Sequence, residues 1–146
     1  MVIKKIIISI ALILCSLEIG QIDINKQIQI HFSEIRMINL AKSIGIKYID
    51  IMVAQSRIET GWYKSKIFIH NNNLFGMKLP KRRSTTAIGS NRGHAQYTSW
   101  QQSVVDYKIW QSKVLIKNKS RSKYLSYIGR NYAENGNYLT MIKQQL

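Results

Sequence analysis

The chain has 146 residues, 45% of them hydrophobic, which suffices for one core of ordinary size and leaves two domains cramped. Lys and Arg number 22 against 7 Asp and Glu, for a formal net charge of +15 and a pI near 10.1. A field of that sign favours a polyanionic neighbour, either nucleic acid or the anionic polymers of a bacterial envelope, and charge alone does not choose between them. One cysteine, Cys15, excludes an internal disulfide and a cysteine-based metal site, and His31, His70 and His94 show no ligand spacing. No cofactor and no metal are therefore expected.

Lys4 and Lys5 precede the uninterrupted apolar block IIISIALILCSL, residues 6–17, so residues 1–20 read as an export signal. The block is shorter than the ~20 residues a membrane-spanning helix needs. A buried N-terminal helix is the alternative, and the paired lysines argue against it. No small-x-small pair marks a cleavage point near Gly20, and Leu14 stands where a lipidation signal before Cys15 wants a small residue. The implied location is secreted, periplasmic or in the cell envelope. Residues 21–32 alternate Ile22, Ile24, Ile28 and Ile30, as an extended arm does, and the remaining domain is 33–146.

Ser33 is the expected N-cap of a helix with Ile35, Ile38, Ala41 and Ile44 on one side and Gly45 past its end. A second helix is expected over 47–59, with Ile49, Met52, Val53 and Ser56 inward and Gly61 as its left-handed stop. Turn formers and basic residues make 62–83 an irregular loop. The segments 85–88 and 94–97 flank GSNRG as a small hairpin. Ser99 and Gln102 form a capping box for a third helix carrying Trp100, Val104, Tyr107 and Trp110. A basic, serine-rich connection, 117–123, leads to a short helix at 124–128, and Asn137 caps a last helix with Leu139, Ile142 and Leu146. The sum is a mainly α (α+β) chain with one small β element and no internal repeat.

Among the few acids, Glu59 is set apart by its place in the last turn of the second helix. Exposed carbonyls and the negative end of the helix dipole disfavour a carboxylate there. Partial walling by Trp62 and Phe75 would add desolvation of the same sign. The result is a carboxylic acid that keeps its proton near neutral pH, as general acid chemistry requires. Position alone leaves open an ordinary solvated glutamate. Asp106, within the third helix, is expected to pair with an Arg or Lys.

Four segments narrow this choice. AQSRIETGWYKSKIF (54–68) and NNNLFGMK (71–78), then QYTSWQQSVVDY (96–107) and NYAENGNYLTMI (131–142), resemble in sequence and order the glucosaminidase domains of bacterial autolysins and flagellar wall-cutting proteins, glycoside hydrolase family 73. Those domains read roughly AQAALESGWG, NNLFGIK and YATDPNY. The resemblance covers about residues 49–146 and implies a lysozyme-like helical domain with a small β-hairpin lobe. It implies hydrolysis of the β-1,4 bond between N-acetylglucosamine and N-acetylmuramic acid in peptidoglycan.

Carried over by position, Glu59 falls on the family's catalytic glutamate and Tyr132 on its active-site tyrosine. Trp62, Asn73, Phe75 and Tyr97 fall on motif positions near the groove. Trp62 and Phe75 either stack on sugar faces or belong to the core. Asn73 either binds an N-acetyl group or closes a loop turn. Many family members carry a second acid in the β lobe, whereas 79–100 holds no Asp or Glu here. Two substitutes remain: attack by the substrate's own 2-acetamido group, and His94 as base.

The cations Lys64, Lys66, Lys78, Arg92 and 81–83 would border the groove and hold anionic wall polymer, or simply solubilise the surface. The protein is expected to act as a monomer. A lytic transglycosylase on the same fold and a non-catalytic wall-binding module are the rival readings. A nucleic-acid-binding protein is disfavoured by the export signal and by the lack of any recognised motif.

Overall fold

The computed structural model describes residues 32–132 and 136–146; the export signal and the extended arm expected before Phe32 lie outside them. From Ser33 onward the residues form one compact unit. Its elements are α1 (Glu34–Ser43), α2 (Ile49–Thr60), α3 (Lys66–Asn71), β1 (Gly89–Asn91), β2 (His94–Gln96), α4 (Trp100–Lys117), α5 (Arg121–Asn131) and α6 (Tyr138–Lys143). This is a mainly helical, lysozyme-like fold with a small two-stranded antiparallel sheet.

Helix α1 starts where its cap predicts: Ser33 Oγ accepts from Arg36 N at 3.3 Å. It ends before Gly45, whose φ is +71°. Its buried face is shifted from the expected stripe, of which Ala41 is buried and Ile38 and Ile44 are half-buried. Met37 and Ala41 are buried, while Ile35 is 62% exposed. The rotation is fixed by Glu34, which receives a bidentate pair from Arg57 of α2 at 2.8 and 2.6 Å, and the Glu34–Met37–Ala41 line therefore faces inward.

Helix α2 is the axis of the fold. Six consecutive residues, 51–56, are buried, so the helix is surrounded rather than laid on a surface. Ile49, expected inward, is only half-buried. Ile51 and Ala54 join Val114, Tyr124, Ile128, Tyr138 and Ile142 in one apolar cluster. Gly61 stops the helix with φ +54°, and Trp62 and Tyr63 continue in the left-handed region at +59° and +66°.

Short α3, capped by Ser65 Oγ accepting from Phe68 N at 3.1 Å, interrupts the region expected to be irregular throughout. The hairpin is tighter than its flanking segments suggest. Gly89 pairs with Gln96, Ser90 with Ala95 and Asn91 with His94. Arg92 and Gly93 make a two-residue turn with φ +54° and +74°, the type I′ geometry that matches strand twist. Ser99 precedes α4, yet its side chain makes no capping bond. Helix α4 runs to Lys117, and α5 begins at Arg121 with Ser120 Oγ accepting from Lys123 N, so the basic connection is only three residues long. No described helix is long and apolar enough to cross a membrane.

The hairpin side is tied to α4 through Asp106. Its side chain is fully buried and takes two bonds from Arg83 at 2.5 and 2.8 Å and one from the Tyr97 hydroxyl at 2.8 Å. Those donors hold its carboxyl below the ordinary carboxylate range against the opposing effect of burial. Removing one partner strands a buried charge. Asp106→Ala is expected to cost about 3–5 kcal/mol, read as a lower denaturant midpoint at pH 7.

Candidate active site

Glu59 stands one residue before the end of α2. It is half-buried, and desolvation raises its carboxyl above the ordinary range; a hydrogen bond from Tyr138 and the charge of His94 pull the other way and do not prevail. The Tyr138 hydroxyl donates to Glu59 Oε1 at 2.7 Å. Every other described carboxylate is answered by an arginine: Glu34 by Arg57, Asp50 by Arg121, Asp106 by Arg83. Glu59 is held by a neutral phenol, which leaves its protonated form accessible.

The second oxygen, Oε2, faces the 71–77 loop. A Cβ built on Gly76 would lie 2.7 Å from it, and Gly76 has φ +61°. Glycine is thus required here twice over, for backbone conformation and for the approach of the carboxyl. The loop is set by three buried asparagines. Asn71 Nδ2 donates to the Asn91 backbone carbonyl and Asn91 Nδ2 donates to Asn71 Oδ1, Asn72 donates to the Tyr97 carbonyl, and Asn73 donates to the carbonyls of Met77 and Ala95 at 2.9 Å each. Asn73 Oδ1 accepts from the backbone N–H groups of Phe75 and Met77. With its polar atoms spent in this way and its side chain buried, Asn73 closes the loop turn and has no atom facing a groove.

Phe75 and Tyr97 are likewise interior. The Phe75 ring lies 4.3 Å from that of Tyr107 and is fully buried, so it offers no face to a sugar. Tyr97 is spent on Asp106. Tyr132 donates its hydroxyl to the Phe75 carbonyl at 2.6 Å and stacks on Tyr138, with ring centroids 5.9 Å apart and planes 13° apart. It therefore anchors the Gly76 loop to the α5–α6 end of the molecule. Trp62 alone among the motif aromatics is open, 54% exposed, with the Arg57 guanidinium 4.8 Å from its ring centroid. His94, at the start of β2, has Nδ1 2.9 Å from the Arg92 carbonyl. Beside Gly76 and Tyr132 a cavity of about 320 Å³ continues past Lys78, Trp110 and Tyr127.

Of the cations expected along the groove, Lys64, Lys66, Lys78, Lys81, Arg82 and Arg92 are exposed. Arg83 is not among them, because it is committed to Asp106. Among the described residues no group of His, Cys, Asp and Glu is arranged to hold a metal ion.

Residues 36–146 match the glucosaminidase family, described as mannosyl-glycoprotein endo-beta-N-acetylglucosaminidase. The chain belongs to this family. Protein bax of Escherichia coli (strain K12) is 35% identical to this glucosaminidase-family chain over 89 residues. That match covers 58% of the chain and 32% of the relative, so the chain spans about a third of the length of the curated protein it matches. No solved structure matches. The family's tyrosine-bearing segment holds two tyrosines here, and sequence reasoning singled out Tyr132. Tyr138, the one bonded to Glu59, was readable only as the first apolar position after Asn137; its contact depends on the packing of α6 against α2.

Gly76→Ala is expected to displace the Glu59 carboxyl from Tyr138, with ~1–2 kcal/mol lost to left-handed strain. A crystal structure of the variant, or a carbon-13 titration of Glu59, checks the displacement.

Proposed function

We propose that this protein is an exported peptidoglycan hydrolase that cleaves the β-1,4 bond between N-acetylglucosamine and N-acetylmuramic acid, with Glu59 as general acid. The observation that carries the reading is a half-buried carboxyl raised by desolvation and held by a phenol, with no arginine, while the other acidic side chains among the described residues are paired with arginines. An acid for glycosidic cleavage must enter the reaction protonated and leave as an anion. Tyr138 suits the second half of that task, since its donated hydrogen bond stabilises the carboxylate once the proton has gone.

In this mechanism the glycan lies along the cavity beside Gly76 and Tyr132. Glu59 Oε2 donates to the glycosidic oxygen as the C–O bond breaks, and the leaving sugar departs with that proton. The 2-acetamido carbonyl of the cleaved residue attacks its own anomeric carbon. Water then opens the resulting ring, giving up a proton to the Glu59 carboxylate, so the acid is restored. Substrate participation answers the lack of a second acid in 79–100. His94, as a neutral imidazole, is the second choice for assisting the water. Trp62 provides an exposed ring for a sugar face, and Lys78, Lys81 and Arg82 attract anionic wall polymer. Residues 1–20 serve as the export signal, and the working unit is a monomer.

The same solitary acid also serves a lytic transglycosylase, in which the muramyl O6 replaces water. Mass spectrometry of digested sacculi separates the two. Reducing N-acetylglucosamine ends support the hydrolase, anhydro-muramyl ends point to the transglycosylase, and sedimentation with sacculi without cleavage leaves only a binding module.

Glu59→Gln is expected to lower the rate of sacculus lysis by about 10²-fold or more while the fold persists. It is also expected to be more stable than the parent at neutral pH. A carboxyl raised in the folded state contributes stability below its unfolded pKa and loses it as pH rises through the folded one, and glutamine is spared that loss. Thermal melts at pH 4 and pH 7.5 check the sign, since the variant's advantage is confined to the higher pH.

A further inference from the structure

Helix α5 carries a glycine at a place where glycine is unfavourable. Gly129 lies within the helix, two residues before its last, Asn131, and it is not among the glycines of positive φ. An ordinary helical position of this kind favours alanine over glycine by about 0.5–1 kcal/mol. Conformational freedom is therefore not what the position uses.

What it uses is space. A Cβ built on Gly129 would lie 2.7 Å from Leu139 Cβ and 3.2 Å from its Cγ and Cδ1. Apolar carbons rest at about 3.5–4.0 Å, so even an alanine would force a retreat of roughly 1 Å. Leu139 cannot supply that retreat by changing rotamer, because its Cβ is one bond from the backbone. The movement falls on α6 itself.

Helix α6 is the element that serves Glu59. Tyr138, its first residue, adjoins Leu139 and donates to Glu59 Oε1 at 2.7 Å. A side-chain contact of about 3.6 Å is no longer a hydrogen bond, so a displacement of roughly 1 Å is as large as the whole margin of that bond. The Tyr138 ring also stacks on Tyr132, which follows Gly129 by about one turn, with centroids 5.9 Å apart. The approach of the two helices at Gly129, the gap between the two rings and the reach of the phenol to the carboxyl are thus one spacing expressed at three places.

We propose that Gly129 is a positioning residue: by admitting the α6 backbone at Leu139, it sets the reach of the Tyr138 hydroxyl to Glu59 Oε1. This rests on the reading of Glu59 as the general acid, whose anion that hydroxyl stabilises. The titratable groups facing Glu59 from the packed elements are Tyr138 on α6, Tyr132 at the end of α5 and His94 on β2. Of these, Tyr138 alone among the described residues hydrogen-bonds the carboxyl.

The test is a carbon-13 titration of Glu59, assigned by comparison with Glu59→Gln, in the parent protein, in Gly129→Ala, in Tyr138→Phe and in the variant carrying both changes. Donation from Tyr138 stabilises the carboxylate, so losing it moves the titration upward. Tyr138→Phe is expected to raise it by about half a unit or more, and Gly129→Ala by a comparable amount. In the double variant the rise is expected to equal that of Tyr138→Phe alone, because no bond is left to lengthen. The alkaline limb of the lysis profile is expected to move with the titration. Glu59 that titrates in Gly129→Ala at or below the parent's value, whatever the melting temperature, overturns the proposal. So does a rise of the same size with and without the Tyr138 hydroxyl, and so does a Tyr138→Phe variant in which nothing moves. Should Gly129→Ala not fold, Leu139→Phe presses on the same approach from α6 and is read against the same outcomes. Parent protein that titrates as expected but releases no fragments from sacculi sinks the hydrolase reading and leaves the role of Gly129 standing.

Discussion

A half-buried carboxyl group bonded to a phenol, with no arginine or lysine paired to it, is the constraint around which this domain is arranged. Glu59 cannot be moved toward solvent without losing the desolvation that raises it, and it cannot be given an arginine without becoming a permanent anion. Both requirements fall on its surroundings. Helix α2 must be enclosed, so six of its residues in a row are buried. The wall opposite Oε2 must be backbone alone, so Gly76 stands there with positive φ. The donor to Oε1 must be neutral, and a tyrosine from the last helix supplies it.

The loop that carries Gly76 has no regular partner strand, yet it must keep a glycine within van der Waals reach of a carboxyl. Side-chain amides supply what a sheet would have supplied. Asn71, Asn72 and Asn73 satisfy carbonyls and N–H groups of the loop and the hairpin, and Ala95 N donates to the Met77 carbonyl at 2.8 Å. Tyr132 then fixes the same loop from the helical side through the Phe75 carbonyl. Three residues expected near a ligand, Asn73, Phe75 and Tyr97, are buried in the packing around this loop, whereas Tyr132 both holds the loop and lines the cavity beside Gly76. A motif position close to a groove in sequence can be one layer behind it in space.

Where local chemistry decides a feature, the sequence carried it. Ser33, Gly45 and Gly61 mark helix ends through a cap and left-handed φ, and the pairing of Asp106 with a basic side chain follows from placing an acid in a helix with a buried face. Features decided across the fold were not readable. The rotation of α1 is set by Glu34 meeting Arg57 from another helix, which overrides the isoleucine spacing. The hairpin register follows from the two-residue Arg92–Gly93 turn and moves β1 past the more β-prone 85–88. Ser99 and Gln102 have the right spacing for a capping box, but the Ser99 side chain makes no such bond. Tyr138 escaped notice because a tyrosine on a helix carries no sign of the partner it meets 79 residues away.

The choice of a phenol beside Glu59, rather than a charge, has an electrostatic reason. A full positive charge that donates hydrogen bonds to a carboxyl lowers it, as the arginines do for Glu34, Asp50 and Asp106. A neutral donor lowers it weakly, so desolvation still prevails at Glu59. It also preserves direction, because a hydroxyl donates one proton while an ammonium or guanidinium donates on several sides. The two kinds of acid consequently respond to pH in opposite senses. Glu34, Asp50 and Asp106 lose their contribution to stability as pH falls through their lowered values, whereas Glu59 costs stability as pH rises through its raised one. A domain built this way is most stable between those limits, and among the described acids Glu59, held by a neutral donor, is the one that costs stability on the alkaline side.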